Sequence, residues 1–118
     1  MADVAVTKQT TTKPNTVTKY TWTSLSAGDS AVIDADYKDE RTIILVKNAS
    51  TSDEAVITIK HGNGYGGVND MTASIAKSTE HAFTLDSTIF KNVSGTNKGK
   101  IVISTDKAIS IAVIEARV

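Results

Sequence analysis

Acid–base or metal chemistry in this chain would have to rest on very few side chains. His61 and His81 are the only histidines, and there is no cysteine. An imidazole can serve as a base or a metal ligand near neutral pH, but a zinc site needs three or four ligands gathered at characteristic spacing. No second histidine stands at such spacing and no nucleophile pattern surrounds either ring, so both read as exposed residues at strand ends. Asp34, Asp36, Asp39 and Glu40 crowd one short segment. Oxygen-rich loops bind calcium, but the helix-loop-helix calcium loop requires a glycine at its sharp turn and a closing glutamate. This segment has neither, and it reads as a solvated loop between strands.

Residues 62–67, Gly-Asn-Gly-Tyr-Gly-Gly, raise the question of a phosphate cradle. A cradle needs a following Lys-Ser/Thr or a strand-to-helix context. Here Val68, Asn69 and Asp70 follow, and then another strand pattern. Two readings stay open. One is a long flexible hairpin loop, with Asn63-Gly64 as its turn pair and the other glycines permitting positive φ. The other is a contact loop carrying Tyr65 at its tip, since an exposed tyrosine offers a large amphipathic contact surface. Asn48 and Asn92 head glycosylation sequons that mean nothing without export. No paired acids, triad or cofactor motif emerges. The expectation is a protein that is not an enzyme, with no catalytic residue, no metal and no cofactor.

The elements that would position these side chains are strands. Ala55, Ile57 and Ile59 alternate with Val56, Thr58 and Lys60, and Met71, Ala73 and Ile75 alternate with Thr72, Ser74 and Ala76. Phe83 and Leu85, Ile101 and Ile103, and Ile109, Ile111 and Val113 repeat the period of two that marks a half-buried strand. Residues 41–47 form a near-continuous β-branched run, as expected of a strand covered on both faces. Turn-rich clusters separate the runs, and residues 87–90 have room for one helical turn. The sequence predicts an all-β fold: a compact β-sandwich, jelly-roll or immunoglobulin-like, of about eight strands with an extended N-terminal arm. The strand at residues 109–114 is the most apolar, so it belongs in the middle of a sheet or against the core.

The chain of 118 residues is the size of one domain. Residues 1–19 differ from the rest. They hold Thr7, Thr10, Thr11, Thr12, Thr16 and Thr18, with Lys8, Lys13, Lys19 and the sole proline, Pro14. Too few large apolar side chains are present to offset the entropy of ordering, although threonine favours extended backbone. The expected division is a flexible arm over residues 1–19 and a sandwich domain over residues 20–118. A merely frayed terminus is the bland alternative. Thirteen basic residues balance thirteen acidic ones, which gives no electrostatic reason to expect nucleic acid or an anionic membrane as partner. The opening residues lack the apolar core of a signal peptide, and no apolar run approaches the roughly 20 residues that span a bilayer. The protein is expected to be made in the cytoplasm and to stay soluble there at first.

Residues 41–48 (Arg-Thr-Ile-Ile-Leu-Val-Lys-Asn), the glycine loop 62–67, and residues 90–95 (Phe-Lys-Asn-Val-Ser-Gly), 98–103 (Lys-Gly-Lys-Ile-Val-Ile) and 111–115 (Ile-Ala-Val-Ile-Glu) together resemble small virion proteins of tailed bacteriophages, of the head decoration or cement kind. The resemblance covers roughly the last two-thirds of the chain. It implies a structural protein on the outside of the virion head, made in the host cytoplasm, with the major capsid protein as partner. It further implies homo-oligomers, trimers among them, on the shell. Contact residues expected on this basis are Thr7, Lys8, Thr10, Thr11, Thr12, Lys13, Thr16 and Thr18 in the arm, the adjoining Tyr20 and Trp22, and Tyr65 on the loop. The alternatives are a carbohydrate- or receptor-binding sandwich of a tail or adhesin, with Trp22, Tyr37 and Tyr65 stacking on sugars, and a tail-tube or baseplate component.

Overall fold

β-Branched residues at every second position turn one face of a strand inward, and this alternation builds most of the molecule. A computed structural model describes residues 2–15, 17, 19–66 and 68–117. In chain order the strands are β1 (Asp3–Ala5), β2 (Lys8–Thr11), β3 (Thr23–Leu25), β4 (Ser30–Asp34), β5 (Thr42–Asn48), β6 (Ala55–Ile59), β7 (Met71–Ile75), β8 (Thr79–Phe83), β9 (Lys100–Thr105) and β10 (Ile109–Ala116). A 3₁₀ turn occupies Asp39–Arg41 and one helical turn, α1, Ser87–Phe90. Asp86 caps α1 by accepting the Thr88 backbone N–H, as an N-cap aspartate does.

The strands form two mixed sheets packed as a β-sandwich. One has the order β1-β4-β9-β6-β7 and the other β2-β10-β5-β8, with β3 also paired to β10. Ala31, Ile33, Ile57, Ile59, Ile101 and Ile103 from the first sheet meet Ile44, Val46, Ile109, Ile111 and Val113 from the second. Asn48, the one amide in this core, is fully used. Its Nδ2 donates to the carbonyls of Asp53 (2.9 Å) and Ile75 (3.0 Å), and its Oδ1 accepts the Ser50 N–H. Buried polar groups persist only when paired in this way.

Among the described residues of 20–118 there are eight strands, as expected, and β10 is central and buried. Two expectations are corrected. The first concerns residues 3–11, read above as part of a loose arm. β1 runs parallel to β4, with Asp3, Val4 and Ala5 opposite Ser30, Ala31 and Val32. β2 runs parallel to β10, with Lys8 opposite Val113 and Thr11 opposite Ala116. The segment carries little apolar surface, but main-chain pairing on two sheet edges and a buried Val6 hold it. The second concerns β5. It is not covered on both faces: Ile44, Val46 and Asn48 point inward, while Ile43 remains 37% exposed. An unbroken β-branched run does not by itself distinguish one covered face from two.

Candidate partner-binding site

β10 continues its inward alternation one step past Val113 and thereby buries Glu115 completely (0% exposed). A carboxylate away from water needs charge and hydrogen bonds to match it, and the arm supplies them. The Lys8 Nζ donates to Glu115 Oε2 at 2.9 Å and also to the Asp36 carboxylate. The Arg117 Nε donates to Glu115 Oε1 at 3.0 Å, and the Thr10 hydroxyl lies 3.5 Å from the same oxygen. The Arg117 guanidinium sits 4.3 Å over the Tyr37 ring, with a nitrogen 3.5 Å from Asp36. Burial alone would pull the Lys8 ammonium down, but its hydrogen bonds to Asp36 and Glu115 prevail and hold its pKa above the ordinary lysine value. The hydrogen bond from Lys8 holds the Asp36 carboxyl below the usual carboxylate range, and the bond to Glu115 raises Arg117 further. Both Glu115 oxygens accept hydrogen bonds, so the cluster acts as a latch for β2.

Beyond the latch, an aromatic pair lies by the outer face of the second sheet. Tyr20 and Trp22 form an edge-to-face pair with centroids 5.7 Å apart. The Lys47 ammonium lies 4.9 Å from the Trp22 ring, a favourable cation–π distance, and Gln9 of β2 reaches the Thr21 hydroxyl at 3.5 Å. Tyr20 is 39% exposed. Val17 lies open on the same stretch, and Ile43 is an exposed large apolar side chain on the sheet face itself. The two aromatics pack on one another, but they precede β3 and lie in no strand, in place of the expected alternation along a strand.

The glycine loop is a second exposed surface, and it is braced. Gly62 donates its N–H to the Ile89 carbonyl, and Asn63 bonds Val93 N–H and Ser94 carbonyl. A Cβ on Gly62 would stand 2.2 Å from the Lys91 carbonyl oxygen, and one on Gly66 2.8 Å from that of Thr88. These two glycines therefore permit close backbone approach; neither has positive φ. At the loop base the His61 Nδ1 lies 2.6 Å from the Asp70 Oδ1, which also accepts the His61 backbone N–H. That backbone bond, with the side-chain bond, holds the Asp70 carboxyl below its usual range. Tyr65 at the tip is fully exposed, and Val68 and Val93 are exposed as well.

The contact residues expected from sequence therefore separate into groups. Lys8 and Thr10 face Glu115, Thr11 is in β2, and Thr7 is exposed between β1 and β2. Thr12 and Lys13 are exposed, Tyr20 and Trp22 are paired, and Tyr65 stands apart on its loop. Thr16 and Thr18 lie outside the described residues. The sequence reading passed over Glu115, Arg117 and Ile43, and it took Asp36 for a solvated loop residue. Glu115 was available as a charged residue at an inward register position. Among the described residues no group of three or more His, Asp or Glu side chains is arranged to hold a metal. The acidic segment has protein partners instead, with Asp36 on Lys8 and Asp39 accepting the Ser87 N–H and hydroxyl. A groove of about 210 Å³ between β7 and β8 is lined by Ile59, Met71, Ala73, His81 and Phe83. No protein-family model, no curated protein and no solved structure matches this chain.

Proposed function

We propose that this protein is a structural component of a bacteriophage particle, a decoration protein that binds the outside of the assembled head through the major capsid protein and stabilises it. The reading grows from the resemblance in sequence. The observation that carries it further is the Tyr20–Trp22 pair, an edge-to-face aromatic unit displayed with Ile43 on the outside of a sheet. Aromatic side chains held in place and partly open are the usual anchors of protein interfaces. A ligand that binds only the assembled shell stabilises that shell by mass action, and many copies make a modest energy per copy large in total. The test is binding to expanded heads stripped of the native protein. The double variant Tyr20→Ala/Trp22→Ala, checked for an intact fold by circular dichroism, is expected to bind at least about tenfold more weakly, equivalent to about 1.4 kcal/mol. Unchanged binding by the folded variant would remove the anchor. Mass spectrometry of virions tests the class: hundreds of copies per particle are expected, and a handful would overturn it.

A second reading has its own support. Tyr65 is fully exposed on a loop braced against residues 88–94, which suits a receptor- or glycan-binding contact. A glycan array on which Tyr65→Ala abolishes a specific signal would establish that reading; an empty array would dismiss it.

A further inference from the structure

The strand pairing that holds residues 3–11 is made to parts of the chain remote in sequence. Ser30 donates its N–H to the Ala2 carbonyl, Val6 donates to Val32, and Arg117 donates to Thr11. Lys8 and Glu115 are 107 residues apart. The pairing itself therefore does not dictate which copy of the chain supplies the arm; of the local contacts, the one from Gln9 to Thr21 is long, at 3.5 Å. The arm also occupies one of the two sides on which the sheets end, along β4 in one sheet and beside the C-terminal half of β10 in the other. Bare edges recruit strands, and this strip adds charge complementarity. Glu115 and Asp36 form its acidic pole, and the entering segment brings Lys8.

The tether between arm and body is longer than the structure requires. Thr11 lies opposite Ala116, and Thr23 opposite Ile111, on the same side of β10. Five residues of strand separate these points, about 17 Å. The chain covers that distance with residues 12–22, which reach about 40 Å when extended. The molecule's longest dimension is 38 Å. The tether therefore has the length to pass beyond its own body.

We infer that the strip formed by β4, β10, Asp36 and Glu115 is an interaction site for residues 3–11 of a second copy of this chain, so that neighbouring copies exchange arms. The register and the Lys8–Glu115 bond are the same within one copy and between two. The tether favours the internal arrangement through its effective concentration, which is millimolar for short flexible linkers, and through the long Gln9–Thr21 contact. Exchange therefore grows as copies are crowded or folded together. Swapping of an identical element is a low-cost route to oligomers because no new interface has to be evolved.

The chain has no cysteine, which makes the test direct. Gln9 and Ile114 are opposite one another across β2 and β10, at a separation a disulfide can bridge. The single variants Gln9→Cys and Ile114→Cys are unfolded together at about 1 mM, refolded and oxidised, and the products are separated by mass. Exchange predicts mixed dimers at least about tenfold in excess over like-with-like dimers, with the excess falling on dilution. The double variant Gln9→Cys/Ile114→Cys, oxidised at micromolar concentration, should close within one chain and so verify register and fold. Mixed dimers no more abundant than like-with-like dimers, alongside efficient closure in the double variant, would overturn the inference.

Discussion

The sandwich has two sides at which its sheets end, and they are finished differently. On one side β1 and β2 lie along β4 and β10, Val6 fills the gap between the sheets, and Lys8 meets a buried carboxylate. On the other side β7 and β8 are the outermost strands, and the apolar groove between them stays open. Both of these strands are short, and Glu80 adds a charge to β8, which are devices that blunt an exposed edge. One side is thus protected by occupation and the other by composition. Occupation demands a specific partner and can be reversed; composition demands nothing and cannot be switched.

Substitutions can weigh this contrast. The largest effect belongs to the core that both sides share. Ile111→Ala is expected to cost about 2–5 kcal/mol in chemical denaturation, the usual loss on truncating a fully buried aliphatic side chain. On the occupied side, Lys8→Ala leaves Glu115 with Arg117 and Thr10 alone, and is expected to cost about 1–3 kcal/mol, the penalty of a buried group that loses a charged hydrogen bond. On the open side, Met71→Lys should stay within about 0.5 kcal/mol, since Met71 is already exposed and surface changes are mild. If Met71→Lys cost as much as Lys8→Ala, the open groove would be part of the core and the contrast would fail.

The latch also has a pH signature. Lys8 is raised in the folded state, so its contribution is full below its ordinary value near 10.4 and disappears as pH rises through the raised value. Asp36 is lowered, so its contribution is full above about 3.9 and disappears as pH falls through the lowered value. The melting-temperature gap between the native chain and Lys8→Ala should be widest at about pH 5–9 and narrow at both extremes. A gap that is flat from pH 3 to 11 would mean that the side chain acts through packing alone.

The smallest effect is kinetic. Brief trypsin treatment should cut at Lys19 first, because it is exposed and outside any strand, while Lys8 in β2 is protected by its ion pairs. Equal rates at the two sites would show the arm unseated most of the time.

These regions also differed in how far they could be read from sequence. β6, β9 and β10 were legible because Ile57, Ile59, Ile101, Ile103, Ile111 and Val113 mark a buried face through strict alternation. The turn at α1 was legible as the one short stretch with room for a helical turn. The seating of the arm was not, because its stability is non-local. Val4 and Val6 alone are too little apolar surface to predict order, and the decisive partner of Lys8 lies near the other end of the chain. Following the alternation of Ile109, Ile111 and Val113 one step further would have placed Glu115 inside and posed the question of its cation. The bracing of residues 62–67 was hidden for another reason. Gly62 is required there by the nearness of the Lys91 backbone, a constraint that no local pattern announces.

The parallel pairing of β2 with β10 has a consequence for synthesis. A ribosome adds about 5–20 residues each second, so Lys8 emerges some 5–20 seconds before Glu115, 107 residues later. Throughout that interval the second half of the arm has no groove of its own to enter. The grooves that do exist then belong to chains already finished, and on a crowded messenger the nearest of them is a neighbour's. The moment of manufacture is therefore when the identity of the chain that fills each groove is most open.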